Sequence, residues 1–358
     1  MTELETVPAP ERTRGEGLAA RVLRIGLTER VVLLAVLLVV VVVWFRVLGA
    51  GGYLVAPYDL RYLGNALESM VPFALLAVAE LFVIVSGRGG IDLSVGAIVS
   101  LAGMAFGFMV GVWGWPLLPS ILGCIVVGAL LGAVNGALVA YVRFPALIAT
   151  LATYYAYSSL ALISNANAPI STPPVVALHS LTRNVDLPAP LPPVPLHVFT
   201  ILLPCAVLAW VVMSRSTYGR SLYAVGTNDI AAAYATQSVA RTRFTAFVLS
   251  GLLSGVVAVV TVGQFASARP DAGIVGNGMA LPAITVAVLG GVAIQGGIGR
   301  VGGVLVAALL VTWLNAGMLL AFPEGAEGSR YQLLALGLVL VLSALLNTIA
   351  LRRYGRLS

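Results

Sequence analysis

At 358 residues, with 59% hydrophobic and only 9% charged side chains and a mean hydropathy of +1.01, the chain departs from the roughly 25% charged content of a soluble domain and is excluded from that class. Its net charge of +6 comes from 20 cationic side chains, all arginine, against 14 acids, and this places cationic loops against anionic lipid or an acidic partner surface rather than in a nucleic-acid groove. A chain without lysine cannot form the Gly-x-x-x-x-Gly-Lys-Ser/Thr phosphate loop, so it does not hold ATP by that device.

Apolar runs of about 20 residues, each long enough to cross roughly 30 Å of hydrocarbon as a helix, predict an all-α polytopic membrane protein. Ten spans are expected, near 31–50, 68–86, 94–113, 117–141, 145–165, 197–213, 244–264, 280–296, 301–321 and 331–350. The first, Val31 to Val43 followed by Trp44 and Phe45, is preceded by several arginines and followed by no small-residue cleavage site, so it is read as a retained anchor. Residues 1–30 and 351–358 are then tails around a transmembrane domain of residues 31–350. With both termini inside, fifteen arginines fall on the inner side, among them Arg12, Arg14, Arg21, Arg24, Arg30, Arg88, Arg220, Arg243 and Arg356. Five, Arg46, Arg61, Arg183, Arg269 and Arg330, fall outside, and this bias sets the orientation as N-in and C-in.

Between the second and third spans lies Gly89-Gly90-Ile91-Asp92-Leu93-Ser94-Val95-Gly96, a carboxylate and three glycines between apolar runs. Gly87, Gly89 and Gly90 let the chain leave helix geometry at membrane depth, where freed backbone groups must be met by protein or water. Asp92 is placed to cap or precede the third span by accepting from free N–H groups. Glu80 and Asp92 are the acids expected in or at the edge of the hydrocarbon, and intramembrane acids also mark ion pathways, so an ion-coupled transporter is the rival reading. Cys124 and Cys205 lie within spans and carry no redox motif.

Residues 166–196 form an external loop stiffened by Pro169, Pro173, Pro174, Pro188, Pro190, Pro192, Pro193 and Pro195, mostly non-helical, and either a docking platform or a spacer. His179 and His197, in or beside it, lack metal-ligand spacing. The inner loop 214–243 predicts a short helix over the alanine-rich Ile230 to Ala235, capped by Thr227 or Asn228, with Asp229 at its positive end and Gly219 and Gly226 as breakers that isolate it. A small-residue helix held outside the membrane suits insertion into a partner's groove; the alternative is a helix lying on lipid headgroups. Later, Gly290-Gly291 and Gly296-Gly297-Ile298 echo Gly89-Gly90-Ile91, a weak sign of duplicated halves, while plain helix close-packing accounts for most of the other glycines. No nucleophile, base and oxyanion-hole set stands out, so an enzyme is the least favoured reading.

Three stretches together resemble the permease subunits of ATP-binding-cassette importers of the ribose, xylose and galactose type: Gly89 to Gly96; Asn135-Gly136 leading to Pro145, Ile148 and Thr150; and Gly219-Arg220-Ser221-Leu222-Tyr223-Ala224-Val225-Gly226 with Asn228, Ala231 and Ala232. The resemblance covers most of residues 60–350. It implies a bacterial inner-membrane subunit with no catalysis of its own, a coupling helix at Asn228 to Val239 seated in a separate ATPase that holds ATP and Mg, an extracytoplasmic sugar-binding protein, and a second permease as homodimer or heterodimer. ATPase coupling then falls to Gly219, Arg220, Tyr223, Ala224, Gly226, Asn228, Ala231 and Ala232. The signature positions are Gly89, Gly90, Asp92, Ser94, Gly96, Asn135, Gly136, Pro145, Thr150, Gly290, Gly291, Gly296 and Gly297. The chain departs from the family's pattern at Ala280 and Pro282, where an acidic pair is usual, at Gly297 to Arg300, and at Ala235-Thr236-Gln237. Gly87-Arg88 stands as an extra pair before the signature. A permease for amino acids or another small polar solute is the nearer alternative, disfavoured by the intact Gly-Ile-Asp-Leu-Ser-Val-Gly run.

Overall fold

The computed structural model describes residues 30–188, 191–275, 278–323 and 325–354. The expected N-terminal tail, with Arg12, Arg14, Arg21 and Arg24, lies outside the described residues, as do Pro190 and Arg356.

The described chain is helical almost throughout. In order it forms α1 (Arg30–Ala50), α2 (Leu60–Val85), α3 (Val95–Gly107, extended by a π turn at Phe108–Val112), α4 (Leu117–Ala140), α5 (Ala146–Ile163), the single turn α6 (Pro173–Val176), α7 (Leu203–Arg215, entered through a π turn at Val198–Leu202), α8 (Thr217–Thr227), α9 (Asp229–Tyr234), α10 (Val239–Phe265), α11 (Ala280–Leu289), α12 (Val301–Ala321) and α13 (Gly325–Tyr354). Eight of these elements are long and apolar enough to cross a membrane, and two shorter apolar stretches, Ala280–Leu289 and Arg330–Leu342, fall where the remaining two spans were expected. The molecule is a multi-pass α-helical membrane protein.

Burial separates core from lipid. Almost every residue of α2 from Met70 to Val85 is inaccessible, and α3 and α10 are buried along most of their length. By contrast α1, α4 and α7 turn valine, leucine and tryptophan outward, as expected of helices whose solvent on that side is hydrocarbon. The tightest helix pair is α4 with α10. It is built on two small-residue repeats, Gly128 to Gly132 and Gly251 to Gly255: a Cβ at Gly128 would lie 2.4 Å from the Gly251 carbonyl oxygen, and one at Gly132 would lie 2.3 Å from that of Phe247. Backbones this close gain dispersion contacts that larger residues would forbid.

Three element boundaries differ most from the sequence expectation. Helix α2 begins at Leu60, not 68, because Asp59 accepts a hydrogen bond from the Tyr62 N–H at 2.8 Å and caps the helix there. Tyr58 and Tyr62 then donate to the Trp313 and Ala316 carbonyls of α12 at 2.8 and 3.0 Å. Hydropathy misses this turn because Arg61, Asn65 and Glu68 lower the local average. The C-terminal helix starts at Gly325 and continues to Tyr354, into the expected tail.

The third difference concerns the span expected at 280–296. Only Ala280–Leu289 is helical. The chain reaches it through a non-helical stretch that runs alongside α3: Ala268 packs where a Cβ on Gly107 would be 2.4 Å away, and the Gly273 carbonyl lies 2.3 Å from where one on Gly96 would be. The Gly273 N–H donates to Ser100 Oγ at 2.9 Å. Eleven helical positions of α3 correspond to about 16 Å, so this stretch covers about half of the hydrocarbon without being a helix, inside protein where its polar backbone is met.

The Pro-rich loop is more ordered than a bare spacer. Within it α6, a 3-10 turn at Ala177–Leu181 and a two-residue antiparallel pair, β1 (Asn184–Val185) with β2 (Val194–Pro195), cover one end of α2, α3 and α10, and Ile170, Val175, Leu178 and Val194 are buried there.

Candidate functional site

Two polar constructions stand out, one inside the bundle and one where α2, α8, α9 and α10 meet. The inner one is centred on Asp92, which is fully buried. After α2 ends at Val85, residues 86–94 double back through turns, with Gly87, Arg88 and Gly89 left-handed, so that the Asp92 N–H donates to Glu80 Oε2 at 3.3 Å. Asp92 Oδ1 accepts from the Ser94 N–H at 3.0 Å and the Ser94 hydroxyl at 2.6 Å, and Oδ2 accepts from Ser250 of α10 at 3.1 Å. Asn135 of α4 donates to Ser94 Oγ at 2.7 Å and lies 3.5 Å from Asp92 Oδ1. Tyr157 of α5 donates to Asn135 Oδ1 at 3.3 Å, and Thr150 donates to the Ile91 carbonyl at 3.2 Å. Asp92, Ser94, Asn135 and Thr150, four residues singled out by the sequence, thus form one network that ties α3, α4, α5 and α10 together.

Asp92 stands two residues before the helix N-cap, Ser94, whose side chain makes no cap bond of its own. Its carboxylate is filled by protein donors, as a buried charge requires. Glu80, also fully buried, has Oε1 without a hydrogen-bond partner among the described residues. Of the other signature positions, Pro145 is the N-cap of α5, and Gly136 lies against Phe244, where a Cβ would be 2.9 Å from its carbonyl oxygen.

The second construction surrounds α9. Asn228 is its N-cap and accepts from the Ala231 N–H at 2.9 Å. Ala232 faces inward at 5% exposure, while Ala231, Ile230 and Tyr234 face out, Tyr234 at 87%. Asp229 accepts from Arg243 of α10 at 3.0 Å and pairs with Arg88 at 3.1 Å. Arg243 also donates through Nε to the Ser86 carbonyl at 3.3 Å. The hydrogen bond from Arg243 holds the Asp229 carboxyl below its usual range against the opposing cost of partial burial, and the charges of Arg243 and Arg88 add to it.

Beside this ion triad four glycines converge. A Cβ at Gly226 would lie 1.8 Å from the Val85 carbonyl oxygen, the Gly297 N–H donates to that same oxygen at 3.0 Å, and a Cβ at Gly296 would lie 2.4 Å from Gly87 Cα. Of the two glycine runs that echo each other in the sequence, Gly296 and Gly297 enter this contact, and Gly296 meets Gly87, which precedes the first run, and not Gly89 or Gly90. Gly219 and Gly226 are not breakers: both are inside the eleven-residue helix α8, where each is required by the close passage of a neighbouring carbonyl. Tyr223 donates to the Gly299 carbonyl at 2.6 Å, whereas Arg220 and Ala224 are exposed. Gly290 and Gly291 lie apart from the triad, at the end of α11, Gly290 packed against Gly303 and Val304 and Gly291 beside Arg30. Gly89 is exposed, Gly90 is folded back on Val83, and Gly96 is the contact to Gly273 described above.

Residues 62–344 match the family described as "Branched-chain amino acid transport system / permease component". The chain belongs to that family. Among the curated relatives of this permease are the autoinducer 2 import system permease proteins of Photorhabdus laumondii, 32% identical over 74% of this chain and 77% of the relative, and of Klebsiella pneumoniae, 34% identical over 73% and 76%. The ribose import permease protein of Escherichia coli is 31% identical over 81% of this chain and 86% of its own length. No solved structure matches.

Sequence reasoning on this permease missed Arg88 and Arg243 as partners of Asp229. In the sequence Gly87 reads as a point where the chain leaves helix geometry, Arg88 as an inner-side charge and part of an extra pair, and Arg243 as an inner-side charge. No local signal points to them, since Arg88 lies in a different loop and Arg243 is 14 residues beyond Asp229.

Proposed function

We propose that this permease is the membrane subunit of an ATP-binding-cassette importer, carrying a sugar or sugar-like solute handed over by a soluble binding protein and driven by a separate ATPase that binds ATP and Mg. The observation that carries this reading is α9, a capped six-residue helix outside the membrane-spanning helices, with Ile230, Ala231 and Tyr234 outward and its base clamped by Asp229 to two other elements. A rigid knob with an apolar outer face suits a groove in a partner subunit. A helix merely resting on lipid has no need of an ion triad fixing its orientation.

As a coupling helix, α9 has two routes into the bundle. One runs through Arg88 along residues 86–94 to Asp92; the other runs through Arg243 along α10 to Ser250, which is bonded to Asp92. The two routes rejoin at the same carboxylate, so a displacement of α9 is delivered to the start of α3 from both sides. ATP and loaded binding protein work together to the extent that both favour the same state of this unit. A sugar as solute is supported by the ribose and autoinducer 2 permeases among the relatives and by the Gly-Ile-Asp-Leu-Ser-Val-Gly run, over the amino acid in the family's description. Closed two-fold symmetry makes a second copy of the chain the expected neighbour.

The test is to tag the chain, extract it from native membranes in mild detergent with nucleotide and vanadate, and identify what co-purifies by mass spectrometry. A P-loop ATPase and a second permease are expected. A chain that purifies alone and moves solute on a proton or sodium gradient would overturn the proposal and make Glu80 the group to mutate.

A further inference from the structure

Far from the ion triad, between the end of α5 and the end of α10, lies a cavity of about 330 Å³ lined by Asn167, Pro169, Ser267, Arg269, Pro270 and Asp271. On the orientation assigned by the arginines this is the outer face. The cavity sits where the non-helical stretch alongside α3 begins, so it is continuous in sequence with the backbone that descends to half the depth of the bilayer. We propose that it is an outer binding site for a neutral polyhydroxylated solute, the first station of the sugar within this chain; the inference rests on the sugar-importer reading above.

The chemistry of the lining argues for hydroxyl recognition. Arg269 donates through Nε and its terminal nitrogen to the two oxygens of Asp271, both at 3.3 Å. Both side chains are more than a third exposed, and an exposed pair of this kind adds little to stability. It does hold a fork of donors beside acceptors, the complement of adjacent hydroxyl groups. The Arg269 guanidinium lies over the Phe265 ring, 5.3 Å from its centroid, a cation–π contact that helps fix the donors in place. Asn167 and Ser267 add an amide and a hydroxyl in a chain with few polar side chains to spare.

The cavity is built, not incidental. Its two walls are fixed to each other by the Ile170–Ala268 backbone bridge and by a 2.7 Å hydrogen bond between the Ser171 and Ser267 hydroxyls. Both helices that end there do so through left-handed residues, Ala166 and Asn167 after α5 and Ala266 after α10, with φ of 49°, 61° and 51°. Such conformations are costly for residues with a Cβ and persist where the surrounding structure holds them. A volume of this size falls at the lower end of small-ligand sites, matching one monosaccharide better than a peptide.

The experiment places a thiol in the wall. Ala168→Cys, at an exposed position between the lining residues Asn167 and Pro169, made with Cys205→Ser in the assembled complex in vesicles, is labelled from outside with a charged thiol reagent in the presence of ribose, xylose, glucose, galactose or myo-inositol, with glycine betaine as osmotic control. At least one sugar is expected to slow labelling threefold or more, and Asp271→Asn added to the same background is expected to remove that protection while leaving the labelling rate without sugar unchanged. No protection by any of the five, or protection that survives Asp271→Asn, overturns the site. ATP-driven uptake of the same five compounds by the otherwise unaltered complex separates the two proposals. Uptake without protection removes the site and leaves the importer standing, and protection without uptake of any of them does the reverse.

Discussion

Arg88 Nε and Asp229 Oδ2 are 3.1 Å apart, joining a left-handed residue in the turn after α2 to the first residue of α9. The same carboxylate oxygen takes the hydrogen bond from Arg243, so one acid sets the angle of α9 against two separate elements, and its removal affects the two arginines unequally. Arg88 is 69% exposed and Arg243 only 9%. Asp229→Ala should destabilise the protein by about 3 kcal/mol because it strands a buried guanidinium, whereas Arg88→Ala should cost about 0.5 kcal/mol or less. Thermal unfolding in detergent measures both. Arg88→Ala should nonetheless lower ATPase stimulation, since the shorter route to Asp92 is cut.

The triad should be insensitive to pH across the physiological range. Asp229 titrates below its ordinary value in the folded protein, so its contribution is complete above the unfolded value of about 3.9 and is lost only as the pH falls through the lower folded value. ATPase stimulation should therefore show no loss attributable to this group between about pH 7.5 and 5.5. A midpoint in that window that disappears in Asp229→Asn would contradict the geometry.

The two neighbouring alanines of α9 should separate docking from folding. Ala231 is exposed and Ala232 is 5% exposed. Ala231→Glu should leave thermal stability within about 0.5 kcal/mol and abolish ATPase stimulation. Ala232→Glu should lower stability itself by forcing an acid into a closed contact. Equal unfolding temperatures for the two variants would count against the described orientation of the helix.

Glycines offer a matched pair. Gly226→Ala places a Cβ 1.8 Å from the Val85 carbonyl oxygen, with an expected cost on the order of 3 kcal/mol or more. Gly302→Ala in the first turn of α12 meets nothing within 4 Å among the described residues and should be neutral or stabilising by up to about 1 kcal/mol. Yield of folded protein by size-exclusion profile distinguishes them.

Within the Asp92 network the losses should be graded. Ser250→Ala removes one of several donors and should cost about 1 kcal/mol. Asp92→Ala leaves Ser94 and Ser250 without their acceptor and should cost several times more. Comparable shifts in unfolding temperature for the two would show that Asp92 is not the centre of the network.

Much of this architecture could be read from the residues. Long apolar runs locate α1, α4 and α12 to within a residue or two because lipid accepts no other pattern there, and Asn228 announces its helix because capping chemistry is local. Other features escaped for definable reasons. The stretch before α11, with Arg269, Pro270, Asp271 and Gly273, reads as an ordinary loop, and the apolar Val292-Ala293-Ile294 after the helix lengthens the expected span beyond Leu289, because hydropathy carries no record of backbone geometry. Gly226 in isolation signals a break, and only the proximity of Val85 gives it the opposite meaning. The partners of Asp229 are remote in sequence, and a single chain holds no trace of which arginine an acid will meet. The cavity at Asn167 and Asp271 likewise depends on two helix ends brought together by a bridge that no local pattern encodes.

The ten-residue length of α11 has a consequence for how the chain enters the bilayer. A segment of about 15 Å, preceded by backbone that bonds to Ser100 and packs on Gly96 and Gly107, is too short to partition into lipid as an independent helix. Its insertion must wait until α2 and α3 are already in place to receive it, so biogenesis proceeds with the N-terminal helices as a template. A nascent chain stalled before that packing exists would be expected to leave residues 266–289 on the outer surface, open to proteolysis from that side.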